Sequence, residues 1–267
     1  MATHGVCPSG HPYHRFGSGS QRLVVVPGVM DSLGWNTPRS LTAELLATYY
    51  FRDYDSYDVW VLSRPPGLPA GQTVAEMAAG YADVLEVIGP AHVLGISLGG
   101  CLAAHLARRR PELVDRLVVL SCGTRPGAYG RVTFDRWSKL AAARRYRELH
   151  VEYARTVYTG FRRVVVPPLY RLGGALLPEP QEHGDVETSC LAVRDFDGSD
   201  LFEAVEAPTL VVGGRHDVLF PVETARDATR RCQNGRLVTF DSGGAVYEEQ
   251  RRAVANAVLG FLDESEK

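Results

Sequence analysis

The chain has 267 residues, 45% of them hydrophobic and 22% charged, with a formal net charge of −2. That composition describes a globular protein with enough apolar material for one large or two small cores. The near-neutral balance gives no reason to expect nucleic acid or an anionic membrane as a partner.

No apolar run approaches the ~20 residues that span a bilayer. The opening stretch MATHGVCPSGHPYHRF lacks the apolar segment of a secretory signal, so cytoplasm is the expected location. Five cysteines, Cys7, Cys101, Cys122, Cys190 and Cys232, are odd in number and show no C-x-x-C spacing. Neither a disulfide framework nor a zinc site is expected. A phosphate-cradling glycine loop is also missing, so no metal and no cofactor are expected.

Taken in order, Tyr13–Gly19 reads as a short edge strand and turn, and Arg22–Val26 as a buried parallel strand ending in Pro27-Gly28-Val29-Met30-Asp31-Ser32. Residues 40–50 read as a helix capped by Ser40, and Tyr57–Leu62 as the next strand. Thr73 caps a helix reaching about Val87, with Val74, Met77, Ala78, Tyr81, Val84 and Leu85 on one face. Strands Ala91–Ile96 and Arg116–Ser121 flank a helix rich in alanine and leucine. Strands alternating with helical patterns predict βαβ units in a mostly parallel sheet, whose functional loops lie at the C-terminal strand ends.

From Arg125 to about Asp200 the alternation stops. Arg136–Phe161 reads as one long helix, Val164–Pro168 as an interruption, and Leu169–Leu177 as a second helical stretch before a loop rich in Pro, Glu and Gly. Between Arg125 and Arg171, ten arginines and one lysine stand against Asp135, Glu148 and Glu152. We read this excess as a solvated helix face in preference to a guide for an anionic substrate or carrier. Strand 207–214, helix 221–232, strand 235–241 and helix 245–262 complete the pattern.

Gly95-Ile96-Ser97-Leu98-Gly99 sits between a strand and a helix, the context in which G-x-S-x-G forms a nucleophile elbow. A Cβ at Gly95 or Gly99 would collide with the neighbouring strand or helix. The turn lifts the Ser97 hydroxyl clear of the sheet and directs the first helical amides, with the helix dipole behind them, at any oxyanion formed there. These residues resemble the α/β-hydrolase superfamily over nearly the whole chain. The implied fold is α/β: a mostly parallel central sheet with helices on both faces and a helical lid. Residues 1–124 and 205–267 would form the core and 125–204 the lid.

The resemblance implies roles residue by residue. Ser97 would be the nucleophile, and the amides of Leu98 and Val29, with Met30 next, the oxyanion donors. Pro27 stands where the family usually has histidine, while Gly28 is kept. Ser63–Pro69 departs from the Asp-x-x-Gly-x-Gly pattern of many members, in a loop that is usually structural. Asp217, after strand 207–214 and in the right chain order, would be the triad acid. The base should follow the last strand in a Gly-His-Ala-Val-like sequence, but the chain reads Gly243-Gly244-Ala245-Val246. Gly244 occupies the histidine's place, and no histidine follows His216. His183, His216 and His150 are the surrogates to consider.

Loss of the base in a serine protease costs on the order of 10⁶ in turnover. Three activities therefore stay open. The first is hydrolysis of a small ester, thioester or lactone through a Ser97 acyl-enzyme. The second is small-molecule binding by a lapsed enzyme, as in the plant gibberellin receptor, which resembles a hydrolase with its triad histidine replaced. The third is a lyase or cyclase that uses the pocket alone.

Overall fold

Short β-branched runs build the centre of the molecule because successive side chains point to opposite faces and both faces are covered. In the computed structural model, residues 2–173 and 177–264 are described. Among them the strands are β1 (Thr3–Val6), β2 (Pro12–Phe16), β3 (Arg22–Val26), β4 (Asp58–Leu62), β5 (Ala91–Ile96), β6 (Val114–Leu120), β7 (Thr209–Gly214) and β8 (Gly235–Phe240). They form one sheet in the order β1-β2-β4-β3-β5-β6-β7-β8. The pairs β1–β2 and β2–β4 are antiparallel, and every pair from β4 through β8 is parallel. The expected mostly parallel sheet with helices on both faces is the observed fold.

The expected edge strand at Tyr13 is an inner one. His4 pairs with His14, so β1 lies outside β2, and β2 is bonded on its other side to β4. The β1 sequence THGV is short and polar and carries little strand signal.

Alternation divides the core in two. Val24, Val26, Val93, Val119 and Val211 pack on one face against α2 (Val74–Ile88), α3 (Leu98–Arg109) and α9 (Val222–Arg231). Leu23, Val25, Val59, Leu94, Val118 and Val212 pack on the other against α11 (Arg251–Leu262) and the aromatic cluster of Phe51, Tyr54 and Tyr57. Helix α2 starts as expected: the Glu76 amide donates to Thr73 Oγ1 at 3.3 Å and the Thr73 amide to Glu76 Oε2 at 2.8 Å. This reciprocal box stabilises the helix start by about 1 kcal/mol.

Four boundary expectations are corrected. Ser40 is the first residue of α1 (Ser40–Leu45), not its cap. Arg39 holds the cap position, and the Ser40 hydroxyl lies 3.1 Å from His4 Nε2. The long helix expected over Arg136–Phe161 is parts of α4 (Ala128–Ala142), α5 (Tyr146–Val157) and α6 (Gly160–Leu172). Helix α4 stops at Arg144, which takes the left-handed φ of 55° while the Arg145 amide reaches back to the Leu140 carbonyl at 2.8 Å. Glycine normally fills that position, so the sequence carries no stop signal there.

Pro167 and Pro168 lie inside α6 instead of interrupting it. Two amide donors are lost, and the packing of α6 along α5 holds the helix together. The stretch expected over Leu169–Leu177 ends with α6 at Leu172, and residues 174–176 lie outside the described residues. Helix α7 (Gly184–Arg194), which the sequence pattern did not reveal, then packs against α4. Short α8 (Ser199–Glu203) leads to β7, and α10 (Val246–Glu249) precedes α11. No helix among the described residues is long and apolar enough to cross a membrane.

Candidate active site

The elbow is built by steric exclusion. A Cβ on Gly95 would sit 2.2 Å from the Gly99 carbonyl oxygen, and one on Gly99 would sit 1.9 Å from that of Val26. Only hydrogens fit, so α3 can start directly against β3 and β5. The turn then forces Ser97 to φ 54° and ψ −119°, a strained conformation for a residue with a side chain. The Ser97 amide is held by the Leu120 carbonyl at 2.8 Å. Ser97 is half-buried and lines a cavity of about 230 Å³ between the strand ends and helices α4, α5 and α6.

Beside it runs the loop after β3. A Cβ on Gly28 would lie 3.3 Å from that of Ser97, so the backbone passes against the serine. Val29 lines the cavity, and neither its amide nor that of Leu98 has an acceptor among the described residues. Met30 also lines the cavity.

Arg64, which sequence reasoning passed over, braces this loop. It is 1% exposed, and its guanidinium donates to the carbonyls of Pro27 at 3.0 Å and Gly28 at 2.7 Å and to Ser32 Oγ at 3.1 Å. Asp31 stands 3.9 Å from the guanidinium and accepts from Ser63 Oγ at 2.8 Å and the Arg64 amide at 3.3 Å. Burial raises the Asp31 carboxyl, against the pull of Arg64 and Ser63. The departure at Ser63-Arg64 from the motif of many members was the available signal.

Asp217 also lines the cavity and is buried. Its Oδ1 accepts from the amides of Leu219 at 2.8 Å and Phe220 at 3.1 Å, while no donor among the described residues reaches Oδ2. Burial pushes its carboxyl up to about 7 despite those two amides. Gly244 faces it: a Cβ there would lie 3.2 Å from Oδ1 and 3.4 Å from Oδ2. Gly244 does not have a positive φ, so its backbone is open to any residue.

The loop carrying Gly244 is fixed. Glu249 accepts from Ser242 Oγ at 2.6 Å, the Gly243 amide at 3.1 Å and Thr159 Oγ1 at 3.0 Å, and the Ala245 amide donates to Val157 at 3.1 Å.

The three surrogate histidines fall in different surroundings. His183 is exposed, with Nδ1 2.9 Å from the Tyr146 hydroxyl, and His216 is exposed, with Nε2 2.7 Å from Asp241 Oδ1; neither lines the cavity. His150 is 3% exposed and does line it, and its Nε2 has no partner among the described residues. His14, which is not among those three, lines the same cavity because β2 pairs with β4. Burial lowers both His14 and His150 to about 4, so both are neutral at pH 7.

The arginines between Arg125 and Arg171 are exposed, apart from the half-buried Arg162, and none lines this cavity.

Comparison with known proteins agrees with this layout. A protein described as "AB hydrolase superfamily protein YisY" from Bacillus subtilis is 32% identical over 169 residues, covering 59% of this chain and 61% of the relative. A "Pimeloyl-[acyl-carrier protein] methyl ester esterase" from Neisseria meningitidis is 25% identical over 211 residues, covering 73% of this chain and 66% of the relative. The crystal structure of the enol-lactonase from Burkholderia xenovorans superimposes with a TM-score of 0.76 at 19% identity, over 95% of this chain and 96% of that one. The family model described as "Alpha/beta hydrolase family" matches residues 23–257, and the chain belongs to that family.

Proposed function

We propose that the protein is a serine hydrolase acting on a small ester, thioester or lactone, with Ser97 as nucleophile. The observation that carries this reading is the strained Ser97 at the floor of a cavity, with the unpaired amides of Val29 and Leu98 at hand. Ser97 Oγ attacks the acyl carbon, and the developing oxyanion is stabilised by those two amides. The leaving group departs with the serine proton, and water then cleaves the acyl-enzyme. Helices α4 to α6 serve as the lid over this site.

The serine proton needs an acceptor. An imidazole at position 244, oriented by Asp217, would be the family's solution. Without it, the cavity offers His150 and His14, which are both neutral and both have a ring nitrogen with no partner among the described residues, and His150 is the one of the three expected surrogates that lines the cavity. A second reading, a small-molecule-binding protein that has lost turnover, is favoured by Gly244 facing Asp217.

The deciding experiment pairs phosphonate labelling with p-nitrophenyl ester turnover in the parent chain, Ser97→Ala and His150→Gln. The hydrolase reading expects labelling at Ser97, turnover lost in Ser97→Ala, and turnover reduced in His150→Gln. Ser97 that labels while the parent turns over no faster than Ser97→Ala would establish the binding reading. Folded protein that does not label would overturn the nucleophile itself.

A further inference from the structure

One wall of the cavity has a chemistry that ester hydrolysis alone does not require. Tyr50, Tyr153, Tyr158 and Tyr170 line it together with Glu248. Tyr50 lies in the turn after α1, Tyr153 within α5, Tyr158 at the bend between α5 and α6, Tyr170 near the end of α6 and Glu248 in α10, so tertiary packing brings four phenol rings and one carboxyl group to the same cavity. Glu248 accepts from the Tyr158 hydroxyl through Oε2, and its Oε1 has no hydrogen bond among the described residues.

The charge of the lining is one-sided. Among the described residues no lysine or arginine lines the cavity; its ionisable members besides the tyrosines are Asp31, Asp217, Glu248 and the neutral His14 and His150. Asp31 is already matched by Arg64 and Ser63, and Asp217 by two amides. Burial raises the Glu248 carboxyl, against the pull of the Tyr158 hydroxyl and of Arg162, the one cation among the described residues whose field reaches it. Arg162 lies over the Tyr158 ring, 5.9 Å from the centroid, and lines a neighbouring groove that Tyr50, Tyr158, Tyr170 and Glu248 border from their other side.

Aromatic faces attract a cation through their negative quadrupole, and do so most strongly when it is desolvated. A carboxylate beside them supplies the counter-charge that a buried cation needs. The ring faces themselves, unlike the phenol oxygens and Glu248 Oε1, hold no lone-pair acceptor, so an alkylated ammonium with no N–H to satisfy can lie against them.

We propose that this wall is a binding subsite for a compact alkylammonium group, with Tyr50, Tyr153, Tyr158 and Tyr170 as its aromatic faces and Glu248 as its counter-ion. The proposal rests on the cavity being the substrate site and deepens that reading: the acyl compound, or the ligand, carries a positive charge.

Three probes of nearly equal shape test it: choline, its neutral carbon isostere 3,3-dimethylbutan-1-ol, and the anionic 3,3-dimethylbutanoate. Titration calorimetry on the unaltered chain needs no turnover and no variant. Choline should bind about tenfold or more tighter than the neutral alcohol, with the carboxylate weakest. In Glu248→Gln the ratio of choline to alcohol should fall to about threefold or less.

Equal affinities, tighter binding of the carboxylate, or no heat from any probe overturns the proposal. So does a choline preference that survives unchanged in folded Glu248→Gln. The hydrolase reading is tested separately, with acetylcholine and 3,3-dimethylbutyl acetate as substrates. A choline preference without ester cleavage leaves the subsite standing and removes the hydrolase. Cleavage of both esters at equal efficiency, with no binding preference, does the reverse.

Discussion

The Arg64 guanidinium holds the Gly28 carbonyl at 2.7 Å, and that bond sets the direction of the Val29 amide. The two groups belong to one trans peptide plane, so fixing the oxygen on one side fixes the N–H on the other. Arg64 is therefore a positioning residue for the proposed oxyanion site. Lysine cannot reproduce a fork that reaches two carbonyls at once. Arg64→Lys should slow phosphonate labelling of Ser97 by about 10- to 100-fold, somewhat less than outright removal of an oxyanion donor. Near-UV circular dichroism checks that the variant is folded, and an unchanged labelling rate would detach Arg64 from the site.

Gly244→His should raise ester turnover by about 10³-fold or more, given the measured cost of losing a triad base. The Cβ would point at Asp217 from a backbone that does not require glycine, and the Asp217 carboxyl need shift by only a few tenths of an ångström to admit it. Imidazole added to the parent chain should give a smaller, saturable increase that disappears in Ser97→Ala. No gain in folded Gly244→His would mean that the defect lies elsewhere in the site.

Asp217 makes stability depend on pH. Its carboxyl is raised from 3.8 to about 7, so the folded state holds a proton that the unfolded chain releases. This contribution is fully present below the unfolded value and is lost as pH rises through 7. Urea denaturation should find Asp217→Asn more stable than the parent at pH 8, by on the order of 2–4 kcal/mol, with the difference shrinking toward pH 5. A pH-independent difference would count against a buried, unpaired carboxylate.

His150 acts in the opposite direction. Lowered from 6.5 to about 4, it stays neutral in the folded chain while the unfolded chain takes up a proton. Its contribution is present above pH 6.5 and is lost as pH falls toward 4. Replacing it with phenylalanine should reduce the loss of stability between pH 6.5 and 5 by about 1 kcal/mol per pH unit. The measurement is the same denaturation series, and parallel pH profiles for the two proteins would refute the assignment.

Gly95→Ala should cost about 3 kcal/mol or more, because its methyl would fall within 2.2 Å of a backbone oxygen that cannot move away. A chemical denaturation curve gives the number, and a loss below about 1 kcal/mol would mean that the elbow has slack.

Much of this was legible in the sequence. Alternating apolar runs and helix caps gave the sheet, and the glycines around Ser97 gave the elbow, because both follow from local sterics and period. The break at Arg144 was not legible, since its left-handed conformation is enforced by helix closure in a residue that rarely adopts it. Helix α6 was misread because its two prolines argue locally for an interruption, and only packing on α5 overrides them. His14 and Arg64 were overlooked for a related reason. One reaches the cavity through antiparallel pairing and the other acts on it from outside, through a bond to a loop more than thirty residues away, and neither partner is set by sequence spacing.

The glycines at positions 95 and 99 are constrained by the backbone of β3 and α3, not by any contact with a substrate. Folding alone thus maintains the serine in its strained pose, whether or not a base stands opposite. A chain of this architecture can lose turnover by drift at one codon and keep the signature by which hydrolases are inventoried. Active-site profiling with covalent probes would then count such a protein among working enzymes, and a census of hydrolases made that way measures architecture more than metabolism.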